Sequence, residues 1–277
     1  MTPNPSLIVA SIQMVSSSSV EDNLSKAETL IQSAKDSHGK MADLVVLPEY
    51  FCLMGHQDTD KVTIQENFND GPIQDRMSAL AKKYGIYLVA GTIPLKSHSA
   101  SKVKNTSLVF SPSGEVICRY DKIHLFGFKQ GEEEYQESRT IEAGQLPSSF
   151  TIEKAGASWK FGLSICYDIR FPELYRAMGE VDCQIIPAAF TYTTGKAHWE
   201  TLLKARAIEN QCYVLASGQG GRHENGRTTW GQSMLINPWG EIQSEIASGE
   251  GVACGKLEKS LIQDIRSKLP ALQHRII

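Results

Sequence analysis

Short apolar runs alternate with amphipathic stretches along the whole chain, the pattern of strands interleaved with helices. Residues 6–14 (SLIVASIQM) read as a strand. Ser18-Ser-Val-Glu21 has the form of a capping box, and the helix it opens carries Leu24, Ala27, Leu30, Ile31 and Ala34 on one face. Residues 43–47 (DLVVL) are apolar without alternation, as expected of a strand covered on both faces. A helix over 72–84, stopped by Gly85, feeds a strand over 87–93. Residues 105–110 and 115–120 flank the turn Ser111-Pro-Ser-Gly114 as a hairpin. The polar stretch 129–138, with its acidic run Glu132-Glu-Glu134, reads as a loop.

The second half repeats the alternation. Strands are predicted over 159–165, 183–187 and 212–217, with helices after Phe171-Pro172 and over 198–210. Residues 233–237 pair through Pro238-Trp-Gly240 with 241–246, and about 259–269 form a last helix. No Gly/Ser/Pro-rich linker divides the halves, so one domain over 1–277 is expected.

Composition narrows the function. With 28 basic and 31 acidic residues the formal net charge is −3, and no basic stripe stands out, which argues against nucleic acid or an anionic membrane as partner. The apolar runs are far too short to span a bilayer, and the first residues lack the charged and apolar regions of a signal peptide. A cytoplasmic protein is expected. Cys52, Cys118, Cys166, Cys183, Cys212 and Cys254 are scattered without CxxC spacing, so neither a disulfide framework nor a four-cysteine zinc site is predicted.

Three side chains stand where reactive groups of an α/β sheet belong, beyond the carboxyl ends of strands. Glu49 follows Leu47-Pro48, Lys122 follows Arg119-Tyr-Asp121, and Cys166 ends the apolar run FGLSI. Together they could perform nucleophilic acyl transfer. A thiol needs a base or a positive neighbour to become a thiolate. Glu49 could take its proton, Lys122 could supply charge to the oxyanion, and the N–H of Tyr167 could add a second donor. The residues alone leave structural alternatives open: a turn-closing glutamate, a solvated lysine, a core cysteine, or a thiol paired with His124 or His198. His198-Trp-Glu200 has the H-x-E form of a zinc deaminase, but no P-C-x-x-C follows, and no histidines stand at metal spacing. Gly218-Gln-Gly-Gly221 reads as a flexible loop, and Arg222-His223 through Arg227 as a solvated surface or a rim meeting an acidic substrate.

At these residues the chain resembles the nitrilase superfamily of carbon–nitrogen hydrolases. The blocks are Leu47-Pro-Glu-Tyr50, Tyr120-Asp-Lys-Ile-His-Leu-Phe126, Gln136-Glu-Ser138, Gly162-Leu-Ser-Ile-Cys-Tyr-Asp-Ile-Arg-Phe-Pro-Glu173, Gly195-Lys-Ala-His-Trp-Glu200 and Asn237-Pro-Trp-Gly240. The resemblance implies an αββα sandwich, assembled as a homodimer or higher homo-oligomer, with no metal and no organic cofactor. It implies Glu49 as base, Lys122 as oxyanion-stabilising lysine, Cys166 as nucleophile, and Glu137 as a second glutamate orienting the lysine and the substrate. The blocks around Cys166 and His198 are closest to the Nit branch, which implies a thiol amidase that cleaves the carboxamide of a small carboxylate-bearing acid and releases ammonia. Arg170 and Thr194 match that branch's carboxylate-binding positions. Gly221-Arg-His223 is closer to its deaminated glutathione amidases than to its ω-amidases. Hydrolysis of a carbamoyl amine or nitrile, and a non-catalytic binding protein on the same fold, are the rival readings. The chain departs from the family pattern at Trp230-Gly231-Gln232 and between Phe126 and Gln136.

Overall fold

The computed structural model describes residues 4–131 and 133–276; Glu132, in the predicted acidic loop, lies outside the described residues. The first half runs β1 (Ser6–Gln13), α1 (Val20–Gln32), β2 (Leu44–Val46), α2 (Asp60–Thr63), α3 (Pro72–Tyr84), β3 (Tyr87–Val89), β4 (Ile93–Lys96), β5 (Val103–Phe110) and β6 (Val116–Asp121). A hairpin of β7 (Gly127–Gln130) and β8 (Glu133–Gln136) leads into the second half: β9 (Ser148–Lys154), β10 (Ala157–Leu163), α4 (Pro172–Ala177), β11 (Cys183–Ala188), α5 (Tyr192–Asn210) and β12 (Tyr213–Gly218). Then come β13 (Gly220–Arg222), β14 (Thr228–Trp230), β15 (Ser233–Ile236), β16 (Ile242–Ile246), β17 (Gly251–Glu258) and α6 (Lys259–Lys268).

Two sheets dominate. One has the order β17-β1-β2-β3-β5-β4 with β6 on β5, and the other β16-β15-β12-β11-β10-β9. Each has a parallel centre, β1-β2-β3 and β10-β11-β12, flanked by antiparallel strands. The period-2 alternation of a strand sorts its side chains into layers. Leu7, Val9, Leu44, Val46, Val89 and Val109 pack toward the second sheet in one core. Ala10, Ile12, Val45, Leu47, Leu88 and Leu108 face α1 and α3 in the other. Leu174 and Tyr175 of α4 and Trp199, Leu203 and Ala207 of α5 cover the second sheet. The result is the expected four-layer αββα sandwich, with DLVVL buried on both faces.

Several local expectations are corrected. The cap of α1 is Ser19, whose side chain accepts from the Asp22 N–H, while Ser18 is bonded to Glu224. The polar stretch after Phe126 is not a loop but the β7–β8 hairpin, in register from Gly127↔Gln136 to Gln130↔Glu133. Likewise Gly218-Gln-Gly-Gly221 is not a flexible loop but closes β12 and opens the β13–β14 hairpin. These small ribbons lie outside the two sheets, so their sequences lack the apolar alternation of core strands. The strand β17 was missed for a related reason. Only two of its eight residues are buried, and it forms because β1 offers it a partner from Ser6↔Glu258 to Gln13↔Gly251. Helix α5 begins six residues earlier than expected, at Tyr192, capped by the Thr191 side chain on the Thr194 N–H.

Candidate active site

The carboxyl ends of the two parallel centres converge on one spot. Glu49 stands just past β2, on a loop brought close to the chain at Gly91. A Cβ on Gly91 would fall 1.9 Å from the Pro48 carbonyl oxygen, so only glycine permits that approach. Lys122 follows β6, and its backbone carbonyl accepts from Gly144 N–H at 2.8 Å. Cys166 follows β10, and Glu137 follows the β7–β8 hairpin. Cys166 has φ +50°, a left-handed conformation that non-glycine residues rarely hold and that costs about 1–3 kcal/mol. It turns the chain sharply from the strand end into a single helical turn over Cys166–Arg170. Buried Asp168 braces that turn. It accepts from the Ile165 N–H at 2.9 Å, Tyr120 Oη at 2.7 Å, and the backbone N–H of His124 at 3.0 Å, and pairs with His124 Nδ1 at 2.7 Å.

Around Cys166 the charged groups form one closed network. Lys122 Nζ donates to Glu49 Oε1 at 2.9 Å and to Glu137 Oε1 at 2.9 Å, with the Lys122 side chain completely buried. Glu49 Oε1 also accepts from Asn105 Nδ2 at 2.8 Å, and its Oε2 accepts from the Ala189 N–H of the opposite sheet at 2.9 Å. Glu137 accepts from Tyr50 Oη at 2.9 Å and from the Phe126 N–H at 2.7 Å. Cys166 lines the same cleft as Glu49 and Glu137.

Two carboxylates share one ammonium, and their environments push them apart. Burial raises Glu49 above the usual carboxylate range; Lys122 opposes the shift and the charge of Glu137 adds to it. Glu137 is desolvated too, but Lys122, the Phe126 N–H and Tyr50 outweigh the burial and hold it low. Lys122 is pulled down by burial, yet the charges of Glu137 and Glu49 hold it well above the ordinary lysine value. Burial and then the Glu49 charge push the Cys166 thiol well above the ordinary thiol value, Lys122 acting against them. The resting arrangement is therefore a neutral thiol beside a carboxylate of raised basicity, with Glu137 as a lasting counter-charge. Pairs of titratable groups driven apart in this way mark an acid–base assignment.

Two clefts open on Cys166 and share Phe126, Cys166 and Ala189. The smaller is completed by Tyr167, Phe190, Thr191 and Thr194. Thr194 is buried there, its hydroxyl 2.8 Å from that of Thr191. Arg170 stands behind this wall, its guanidinium carbon 5.7 Å from the Tyr167 ring centre and 5.5 Å from that of Phe190, and Nη2 is 3.3 Å from His198 Nδ1. The larger cleft is lined by Tyr50, the 53–61 segment, Tyr135, Gln136 and Arg227 together with Glu49 and Glu137.

The sequence-derived candidates separate accordingly. Glu49, Lys122, Glu137 and Cys166 come together, and Tyr167 and Thr194 line the smaller cleft. His124 and His198 are engaged with Asp168 and Arg170, whereas Glu49 lines the same cleft as Cys166. The expected basic rim is corrected. Arg222 is exposed, and His223 is buried, bonded to the Ser16 carbonyl at 2.9 Å and the Thr229 hydroxyl at 2.8 Å; only Arg227 lines the cleft. The departure at Trp230-Gly231-Gln232 is structural: the Gln232 carbonyl accepts from Trp199 Nε1 and its side chain from Trp230 Nε1. Sequence reasoning missed Asn105, Lys61 and the positioning roles of Tyr50 and Asp168. Tyr50 and Asp168 sit inside quoted motif blocks and could have been found there; Asn105 and Lys61 carry no local signal. Among the described residues no cluster of three or more His, Cys, Asp or Glu could hold a metal ion.

The profile of the carbon-nitrogen hydrolase family matches residues 8–267. A deaminated glutathione amidase of Synechocystis sp. is 38% identical, covering 97% of this chain and 98% of its own. An omega-amidase NIT2 of Danio rerio is 37% identical, covering 96% of this chain and 94% of its own. The structure of Saccharomyces cerevisiae Nit3, a member of branch 10 of the nitrilase superfamily, superposes with a TM-score of 0.83 at 32% identity, covering 99% of this chain and 97% of that one. The chain belongs to the carbon-nitrogen hydrolase family.

Proposed function

We propose that this carbon–nitrogen hydrolase is a cytoplasmic thiol amidase whose substrate is an amide of a small keto acid, with deaminated glutathione as the preferred form. The observation that carries the reading is the closed network of Glu49, Lys122 and Glu137 around a strained, buried Cys166. Glu49 removes the thiol proton as sulfur attacks the amide carbonyl. The tetrahedral oxyanion forms against the Lys122 ammonium and the Tyr167 N–H; a donor of this kind is typically worth about 2.7–4 kcal/mol. Glu49, now a carboxylic acid, protonates the departing amine, leaving an acyl-thioester on Cys166. It then takes a proton from water as the water attacks the thioester, and returns that proton to sulfur as the acid leaves. Glu137 stays ionised throughout and keeps Lys122 aimed. Thr194 lines the smaller cleft that receives the acyl part, and Arg170, behind its Tyr167–Phe190 wall, supplies positive charge toward the carboxylate.

The leaving group depends on the amide. An ω-amide of the keto acid releases ammonia, whereas deaminated glutathione, whose scissile bond joins the keto diacid to a dipeptide, releases the dipeptide amine. Ammonia release alone would therefore miss the preferred substrate; the keto acid is the product common to both. The larger cleft favours the dipeptide, because ammonia needs no such room. The ω-amidase reading is the second one, supported by the Danio rerio relative. The assay follows release of the keto acid from both amides, with a nitrile and a carbamoyl amine alongside. Turnover of deaminated glutathione that vanishes in Cys166→Ala supports the proposal. Preference for the ω-amide moves the second reading to first place, and turnover of none of the four returns the chain to a non-catalytic binding protein.

The whole of 1–277 is taken as one unit, and it is proposed to work as a homodimer joined through its outer helices. Ile208 on α5 and Trp239 in the adjacent turn, 53% and 58% exposed, are large apolar side chains on that layer and support the pairing. A monomeric mass by light scattering at micromolar concentration would remove it. None of the described helices is long and apolar enough to cross a membrane.

A further inference from the structure

The larger cleft carries charge that the reaction itself does not use. Of the carboxylates in it, Glu49 and Glu137 are committed to Lys122. That leaves Asp58 opposite two cations, Lys61 and Arg227. Lys61 Nζ is held by the Asp58 backbone carbonyl at 2.8 Å and the Thr140 hydroxyl at 3.2 Å, with the Asp58 carboxylate only at 4.0 Å. Its side chain is largely buried, and burial pulls its pKa down, with Asp58 and Glu137 offsetting that in part. Arg227 stacks on Tyr135, with 4.9 Å from guanidinium carbon to ring centre, and pairs with no carboxylate among the described residues. Its hairpin is pinned in place. Asn225 Nδ2 donates to the Gly55 carbonyl at 2.6 Å, and Asn225 Oδ1 accepts from the Arg227 N–H at 2.9 Å. Two cations are thus held in the lining of a cleft that reaches the nucleophile. Thr194 belongs to the smaller cleft, which shares Phe126, Cys166 and Ala189 with this one.

We propose that Lys61 and Arg227 form the leaving-group subsite of this enzyme, binding the terminal carboxylate of a peptidyl amine while the acyl part occupies the smaller cleft. The inference rests on the amidase reading above and adds to it the chemistry of the departing half. An amine that ends in a carboxylate a few bonds beyond the scissile nitrogen is recognised at both ends, its acyl carboxylate in the smaller cleft and its C-terminal carboxylate in the larger one. Ammonia reaches neither cation. The subsite therefore separates peptidyl amides from primary amides without touching the catalytic groups.

The test compares three substrates with the same acyl part: the dipeptide amide with a free C-terminal carboxylate, its C-terminal carboxamide analogue, and the primary amide. In the wild type, capping the carboxylate should lower kcat/KM roughly tenfold to a hundredfold, the range of a lost charged hydrogen bond. Arg227→Gln should lower the ratio of the dipeptide to the primary amide by a similar factor, and should add little to the loss already caused by capping. Lys61→Gln should behave likewise and more weakly, and melting temperatures of both variants check that the fold persists. Arg227→Gln losses that are equal for all three substrates, or that add fully to the capping loss, overturn the subsite and leave the amidase reading intact. Absence of turnover on any of the three in the wild type instead removes the amidase reading on which it rests.

Discussion

The floor of the site and its outer rim are built on opposite terms. On the floor every charge is spoken for: Lys122 is bonded to two carboxylates, of which Glu49 accepts further N–H groups from both sheets and Glu137 accepts the Phe126 N–H and the Tyr50 hydroxyl. Glu49, Lys122 and Cys166 sit at the ends of core strands and on a braced turn, where packing leaves them little room to move, and Glu137 is held against them from the end of the β7–β8 hairpin. The rim consists of two small hairpins and the 53–61 segment, and its cations are held by one or two contacts each. Preorganised charge on rigid elements suits chemistry that must be the same for every substrate. Groups on pinned loops suit discrimination between substrates, since they change without disturbing the floor.

The largest effects should come from breaking the floor. Cys166→Ala should abolish turnover with little change in melting temperature, because a small buried group replaces another. Lys122→Met should cost at least about a hundredfold to a thousandfold in kcat as an oxyanion donor is lost. It should also destabilise the fold by about 3–5 kcal/mol, the usual cost of leaving a buried pair without one partner. A Lys122→Met protein that melts like wild type would show that the network is less desolvated than its geometry implies.

Glycines sharpen the comparison one level down. Gly91→Ala would drive a Cβ into the Pro48 carbonyl and displace the loop carrying Glu49. A displacement of about 1 Å can cost about a hundredfold in rate. Gly226, at the tip of the β13–β14 turn, has φ +84° but nothing within 4 Å of an added Cβ. Gly226→Ala should cost about 1 kcal/mol of backbone strain and leave kcat on the primary amide within about twofold. Equal kcat losses in the two variants would erase the distinction between floor and rim.

The same division explains what could be read beforehand. Glu49, Lys122 and Cys166 were legible because each ends a recognisable strand, and strand ends are where α/β sheets place chemistry. Glu137 was not, since its hairpin looks like a polar loop; only the family resemblance picked it out. Asn105 lies 56 residues from the Glu49 it orients, and a buried amide amid an apolar strand carries no local sign of its partner. The rim was read one step wrong. The basic cluster was seen, but which member faces the cleft is decided by the hairpin register, Arg222 lying opposite Thr228 with Arg227 in the turn beyond. The α/β architecture was legible for the reason the three strand-end residues were, because alternation persists wherever a strand has a core to face.

A subtler break acts through pH. Burial and the charge of Glu137 both raise Glu49, so kcat/KM should fall on the acid side with an apparent pKa above the ordinary carboxylate value of 4.5. Glu137→Gln removes one of the raising charges and leaves Lys122 to Glu49 alone. Both changes stabilise ionised Glu49, so the acid limb should move to lower pH even as kcat drops. An acid limb that stays in place would show that Glu49 does not set it. Lys122, held above 10.5, should contribute no alkaline limb below that value.

The smallest effect belongs to the rim, where His223 ties the β13–β14 hairpin to the body of the fold. Its Nδ1 bonds the Ser16 carbonyl and its Nε2 the Thr229 hydroxyl, and burial holds its pKa below the ordinary histidine value of 6.5. A folded-state pKa depressed in this way means that the unfolded chain takes the proton first. His223 therefore contributes stability above pH 6.5 that is lost as the pH falls from there through its folded-state value. The loss should be local, since the hairpin lies outside both sheets: protection factors at Arg222 and Thr229, taken against the intrinsic exchange rate at each pH, should fall on acidification before those of β11 or β12. His223→Gln, which keeps a donor and an acceptor but cannot titrate, should flatten the pH dependence of that protection while leaving the sheets unchanged. Because Arg227 follows on the same hairpin, loosening it in the wild type should also reduce the preference for a carboxylate-ended leaving group at mildly acidic pH, an effect absent from His223→Gln. If protection at Arg222 and Thr229 follows the same pH course in both proteins, the rim is not held by a neutral imidazole, and its attachment must be credited to Asn225 and its bond to Gly55 instead.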